Sequence, residues 1–316
     1  MFSASQYELL DFGSGRKLER FGNAVVDRIS PPATGKVPAA KHLWRGADAR
    51  FEADPPRRGG GGQEEKALGH RGKWIPLTPR GERIAQGEPW TVSHESPRFS
   101  LVLKASPFGH LGVFPEQTGN WTAIGAVCRE GAARLGRPLR VMNLFAYTGG
   151  STLAAAGEGA ETTHLDAAQN VVRQARGNAA ASGMEKLPLR WIADDAVKFV
   201  KREQKRGRRY DGIVLDPPTY GHGARGEVWR LARDLPGLLD TLVDIMDGDF
   251  PFLLLSCHSP GFDAHRLAGM LMERAGRICP EAPGELKATC GPMRIPSTSG
   301  GWLDAGCSAM VRRWCE

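Results

Sequence analysis

From about residue 120 to residue 260 the chain alternates short apolar runs with alanine-rich stretches of helical period, and no other feature restricts the fold as much. Trp121 to Leu135 carries apolar residues at Trp121, Ile124, Val127 and Cys128, the spacing of one helix face. The pattern then predicts strand 139–144, helix 151–156, strand 162–165, helix 168–182, strand 189–192, helix 196–203, strand 212–215, helix 228–246 and strand 252–256. Strands that alternate with helices through short connections call for a parallel sheet covered on both faces. After a further helix over 264–275, two β-like stretches at 284–289 and 306–313 suit an antiparallel hairpin closing the sheet edge.

Upstream the texture differs. Leu9-Leu10-Asp11-Phe12-Gly13-Ser14-Gly15 and Asn23-Ala24-Val25-Val26-Asp27-Arg28 are β-like runs bounded by Gly, Pro and Asp. Lys73-Trp74-Ile75-Pro76-Leu77, Trp90-Thr91-Val92-Ser93 and the run 99–104 resume the pattern. Between them, Asp54-Pro55-Pro56-Arg57-Arg58 leads into four glycines, Gly59 to Gly62, which sustain neither helix nor strand cheaply; 52–73 is read as a mobile loop. The 316 residues fit about two domains of ~150 each. We expect a small β-rich domain over 1–97 and an α/β domain over 98–316.

The six cysteines (128, 257, 279, 290, 307, 315) form no C-x-x-C pair and no zinc spacing, which fits free thiols in a reducing cytosol. Neither His110 nor His222 has a companion at metal-ligand spacing, so no metal is expected. No apolar stretch reaches the ~18 residues a membrane helix needs, and the start, Met1-Phe2-Ser3-Ala4, lacks the pattern of a secretory signal. A cytoplasmic location is the expectation. The formal charge is +7, and its distribution says more than its size. Lys198, Lys201, Arg202, Lys205, Arg206, Arg208 and Arg209 are opposed only by Glu203, a local net of +6. A second basic region runs from Arg57 to Arg83. Such runs suit a polyanion such as RNA, or equally a solvated face. Trp44, Trp74 and Trp90 lie among basic residues, where core packing accounts for them more simply than base stacking.

In an open α/β sheet, ligands bind beyond the carboxyl ends of the strands, so the residues after each strand carry the chemistry. The first strand runs into Phe145-Ala146-Tyr147-Thr148-Gly149-Gly150, where paired glycines let a ligand approach the backbone. This is not G-x-G-x-x-G, which counts against a pyrophosphate-binding dehydrogenase. The second strand ends at Asp166, placed to accept from ribose hydroxyls. Asp195, after the third, can accept from an adenine amino group or cap the next helix. The fourth strand ends Leu215-Asp216-Pro217-Pro218-Thr219-Tyr220, whose prolines remove two donors and stiffen a wall suited to an unstacked base.

Asn-Leu-Phe-Ala-Tyr-Thr-Gly over 143–149, Leu-Asp-Ala over 165–167, Asp-Asp-Ala-Val-Lys-Phe over 194–199 and Leu-Asp-Pro-Pro-Thr-Tyr over 215–220 together resemble the class I S-adenosylmethionine (SAM)-dependent methyltransferases. More narrowly, they resemble the bacterial large-subunit ribosomal RNA methyltransferases, some of which make 5-methylcytosine and others 7-methylguanosine. The segment from His110 to Trp121, Asp11 to Gly22, and Gly226-Glu227-Val228-Trp229 are also family-like, so the resemblance covers nearly the whole chain. It implies an α/β fold, a Rossmann-like SAM-methyltransferase sheet with a small N-terminal β-rich domain. It implies that Gln117, Phe145, Tyr147, Thr148 and Gly149 surround the methionine part of SAM, with Asp166 on the ribose and Asp195 on the adenine. Asp216 and Pro217 would face the acceptor base, Asp216 also contacting the cofactor, and Tyr220 would stack on the base. In the 5-methylcytosine makers a cysteine attacks the base; here the residue in that place is Cys257, after the fifth strand, with His258 beside it. The alternatives for Cys257 are a buried, inert thiol and direct transfer to a base nitrogen.

The resulting expectation is methylation of an RNA base, ribosomal RNA first, with a homodimer left open. Methylation of tRNA, protein or a small molecule, a nicotinamide-dependent oxidoreductase, and a non-catalytic RNA-binding protein are the competing readings.

Overall fold

The computed structural model describes residues 1–55, 71–222, 226–280 and 282–313. The glycine run 59–62, most of the expected loop 52–73, and Cys315 lie outside them. By compactness the chain forms two units, one of Met1–Thr118 with Arg294–Ala305, the other of Gly119–Met293 with Gly306–Glu316.

The first unit is β-rich. Strands β1 (Tyr7–Gly13), β2 (Arg16–Phe21), β3 (Ala24–Ile29), β4 (Ala49–Ala53) and β5 (Gly72–Pro76) form one sheet in that order. Strands β6 (Trp90–Glu95) and β7 (Arg98–Leu103) form an antiparallel pair. Glu52 and Ala53 pair with Lys73 and Gly72, so both strands run two residues into the interval 52–73 that composition assigned to a loop. Buried acids organise the sheet. Asp27 is fully buried between Arg16 (2.6 Å) and Arg50 (2.7 Å), and Glu19 between Arg28 (2.5 Å) and Lys17 (3.1 Å). Asp11 accepts from the amides of Ala39 and Ala40, the Trp44 indole and the Ser299 hydroxyl; together these donors hold its carboxyl below the usual range against the opposing effect of burial.

The second unit carries a seven-stranded sheet. Its strands are β8 (Arg140–Leu144), β9 (Glu161–Asp166), β10 (Leu189–Ala193), β11 (Gly212–Leu215), β14 (Phe252–Cys257), β15 (Leu286–Pro296) and β16 (Trp302–Arg313), in the order β10-β9-β8-β11-β14-β16-β15. The strands from β10 to β14 run parallel, and β16 lies antiparallel against β14. This is a Rossmann-like α/β arrangement, with the expected edge formed by β16 and β15. Side chains alternate across the pleat. One face, carrying Met142, Leu144, Leu165, Ile213, Leu215, Leu253 and Leu255, packs on Phe199 and Val200 of the helix Ala196–Lys205 and on Leu238, Leu239 and Leu242 of the helix Leu231–Val243.

Two expected helices differ. Val228–Arg230 is a strand, β13, paired with β12 (Tyr220–His222), and helix 231–243 begins only where the Asp234 carboxylate takes the Arg230 amide at 2.7 Å. Helix 264–275 ends at Met272; Arg274 leaves helical geometry (φ −103°, ψ 1°) before a short turn, Ala275–Ile278. Strand pairing and a break in backbone geometry override apolar periodicity in both places.

Candidate functional site

Strand order reverses between β8, followed on one side by β9 and β10, and β11, followed on the other by β14. At such a switch point the connections diverge to opposite faces and leave a crevice beyond the carboxyl ends. The turn after β8 and the Asp-Pro-Pro wall after β11 therefore stand side by side, with Leu144 paired to Leu215 at the rim.

The turn after β8 is unusual in its backbone. Phe145 (φ 55°), Tyr147 (φ 48°) and Gly149 (φ 93°) all take left-handed conformations, costly for the two aromatic residues. Alternation of hands turns successive amides toward one side, a concavity suited to electron-rich ligand atoms. The strain is held from below. Asn178 donates to the Thr148 carbonyl at 2.8 Å, and Asp166 accepts the Tyr147 amide at 3.0 Å. A buried polar chain supports the same turn: the Asn143 amide donates to Thr152 Oγ1 at 3.0 Å, and Thr152 Oγ1 lies 2.9 Å from Nδ1 of His164. Burial lowers the His164 pKa to about 3, so the ring is neutral. A Cβ on Gly149 would approach the Ala175 Cβ at 3.2 Å, and one on Gly150 would meet the Trp121 ring at 2.5 Å. No side chain fits at 150 without displacing that ring.

Asp166, at the end of β9, also accepts the Ala168 amide at 2.9 Å. Burial raises its pKa against the lowering effect of these amides. Asp194 and Asp195 follow β10. Asp195 caps helix 196–205 through the Lys198 amide at 2.9 Å, the alternative role its sequence position allowed, while Asp194 pairs with Arg202. Asp216, half-buried, accepts the Ser256 hydroxyl at 2.7 Å, and Nε2 of the exposed His258 lies 3.5 Å from the same carboxylate oxygen. Pro217 is buried, Pro218 and Thr219 exposed. The Trp229 indole donates to the Pro218 carbonyl at 2.8 Å, and its ring packs 4.9 Å from that of Phe145. The hairpin thereby links the wall to the turn.

Phe145, Tyr147, Thr148, Gly149, Asp166, Asp195, Asp216 and Pro217 thus stand at the carboxyl ends of neighbouring strands. Tyr220, expected to stack on a base, is only 8% exposed inside the hairpin; Pro218 and Thr219 are the open surface of the motif. Cys257 is 1% exposed and lies in the aliphatic cluster with Leu253 and Leu255, on the face opposite Ser256. Burial pushes its thiol up, although the Ser259 amide at 3.4 Å opposes this. Gln117 is buried in the first unit, in the short turn Pro115–Gln117. Of the basic run, Lys198 pairs with Glu227, Arg202 with Asp194, Arg206 with the fully buried Glu203 at 3.1 Å, and Arg209 donates to the Asp244 carbonyl. Lys201, Lys205 and Arg208 are exposed and carry no ion pair among the described residues. Sequence reasoning missed Asn143, Thr152, His164, Asn178 and Ser256. Asn143 and Ser256 were visible as polar interruptions of apolar strands.

The sequence pattern of the S-adenosylmethionine-dependent methyltransferases matches residues 116–273, half of the chain. The chain belongs to that family. A SAM-dependent methyltransferase from Agrobacterium tumefaciens, known from its crystal structure, superposes with a TM-score of 0.83 at 30% identity, over 99% of this chain and 92% of the other. Ribosomal RNA large subunit methyltransferase I of Aeromonas hydrophila is 36% identical over 93 residues, 29% of this chain and 23% of that protein. Ribosomal RNA large subunit methyltransferase K/L of Methylococcus capsulatus is 32% identical over 149 residues, 46% of this chain and 20% of that protein. The matches to these two relatives thus span less than a quarter of their lengths. The methyltransferase turn fits its cofactor: the glycine cradle keeps side chains out of the concavity, and Asp166 combines two amide contacts with lone pairs free for hydroxyl donors. Among the described residues no group of three His, Cys, Asp or Glu side chains could hold a metal ion, and no helix is long and apolar enough to cross a membrane.

Proposed function

We propose that this methyltransferase modifies a base of RNA, ribosomal RNA first, by direct transfer to a base nitrogen. The observation that carries the choice of atom is the burial of Cys257 among aliphatic side chains, which keeps it a neutral thiol on the face opposite Ser256. Bound SAM supplies a methyl group already activated by its sulfonium. The residues of the chain have mainly to hold and align. Phe145 to Gly149 form the cradle, Asp166 takes the ribose hydroxyls, and Asp195 keeps its second carboxylate oxygen for the adenine while capping its helix. Asp216, steadied by Ser256 and His258, and the carbonyl of Pro217 accept from the amino group of the base, which turns the nitrogen lone pair toward the methyl. Alignment of this kind can supply several kcal/mol of the barrier, up to about 7–11 in small-molecule comparisons. The RNA assignment is supported by the similarity to ribosomal RNA large subunit methyltransferases I and K/L. Lys201, Lys205 and Arg208 are the cations of the basic run left available to phosphates, with the paired residues Lys198, Arg202, Arg206 and Arg209 beside them.

Mass spectrometry of nucleosides in ribosomal RNA, from cells with and without the protein, identifies the product. A methylated nitrogen is expected, and the Cys257→Ser enzyme should turn over at a rate close to wild type. Loss of product on that substitution, or capture of the protein on RNA containing 5-fluorocytosine, would refute nitrogen transfer and restore the cysteine mechanism.

A further inference from the structure

We propose that a cavity of the first unit, beside Arg83 and Trp90, holds one unpaired nucleotide of the RNA substrate, with the base on the Trp90 indole and the phosphate on Arg80 and Arg83. The inference rests on the RNA reading above and adds a contact outside the methyl-transfer site. The cavity measures about 520 Å³, within the range of small-ligand sites. Ile84 and Pro89 give it apolar wall, Asn23 and Thr91 polar edge.

Trp90 decides what the cavity suits. Trp44 and Trp74, in the same unit, spend their indole N–H groups on the Asp11 carboxylate at 2.8 Å and the Ser106 carbonyl at 2.9 Å. The Trp90 indole nitrogen is buried and has no hydrogen-bond partner among the described residues. The Trp90 side chain, half-buried, also makes no aromatic contact among the described residues, which leaves the ring to a base.

The two arginines are held but weakly committed. Arg80 donates to the Asn23 carbonyl at 2.6 Å, which fixes its guanidinium at the cavity. Its ion pair with Asp48 and that of Arg83 with Glu88 are both 3.7 Å long, and the arginine side chains are 45% and 59% exposed. Such pairs contribute little, so a phosphate can displace them. Glu88 also lines the cavity and lowers its positive potential. A bare anion is then held poorly, and a ligand with both base and phosphate is favoured.

The test measures binding of a fluorescein-labelled single-stranded oligoribonucleotide to the full chain, across salt concentrations, with SAM affinity measured on the same samples. Trp90→Ala should weaken RNA binding roughly 5- to 150-fold, and Trp90→Phe should recover most of it. Arg83→Ala, at an exposed position, should lower the salt slope by about one without altering SAM affinity. Unchanged RNA affinity and slope in both Trp90→Ala and Arg83→Ala, while wild type binds and methylates RNA, would overturn the cavity assignment alone. Equal competition by free uridine monophosphate would overturn it in favour of a small-nucleotide site. A wild-type chain that neither binds nor methylates RNA would overturn the RNA reading and this inference with it.

Discussion

Acidification should cost the SAM-binding unit stability through one residue, His164. Its ring is fully buried, Nδ1 lies 2.9 Å from Thr152 Oγ1, and Nε2 is buried without a partner among the described residues. Burial lowers its pKa from 6.5 to about 3 because the imidazolium would have to form away from water. As the pH falls below 6.5 the unfolded chain takes up a proton at this position and the folded chain does not. The unfolded state is therefore favoured, and stability falls progressively from about pH 6.5 down toward pH 3; above that window the loss is absent. At about 1.4 kcal/mol per unit, a change from pH ~8 to pH ~5 removes about 2 kcal/mol. His94 and His110, both lowered to about 4 chiefly by burial, add losses of the same sign. A His164→Gln protein isolates the term, since every other group is shared. Urea denaturation of both proteins at the two pH values should show wild type losing about 2 kcal/mol more than the variant. Equal losses would refute the assignment of a neutral, water-excluded ring beneath the turn after β8.

Two further outcomes follow from the same turn. Gly150→Ala sets a Cβ 2.5 Å from Cζ2 and 2.7 Å from Cε2 of Trp121, a rigid ring, and should cost about 1–3 kcal/mol together with SAM affinity; an unchanged melting temperature would count against the packing. Asp166→Ala should weaken SAM binding about 10- to 100-fold by calorimetry, through loss of a charged acceptor and of the support at the Tyr147 amide, and affinity close to wild type would remove Asp166 from the site.

Much of the site was legible because strand ends are legible. Apolar runs stop where the chain leaves the sheet, so Asp166, Asp195, Asp216 and the paired glycines 149 and 150 could be named as candidates from position, while Phe145, Tyr147 and Thr148 came from the family resemblance. What the sequence could not supply were neighbours distant in the chain. The basic run suited a polyanion or a solvated face, and the structure adds that Arg206 pairs with the buried Glu203 and Arg202 with Asp194. Val228 to Arg230 had helical periodicity, but Tyr220–His222 offered strand partners. Cys257 had a reactive-looking neighbour in His258, but the pleat turned it to the aliphatic face.

The sequence by itself determined the alternation of strand and helix, the glycine cradle and the proline wall, because backbone propensity, period and loop chemistry are local. Only the tertiary structure decided which of these residues meet. The reversal of strand order beside β8 brings 145–150 against 216–218, and Ser256 and His258 reach Asp216 from the next strand. Burial, a property of the packed whole, then decides which groups carry charge: His164 stays neutral and Cys257 stays a thiol.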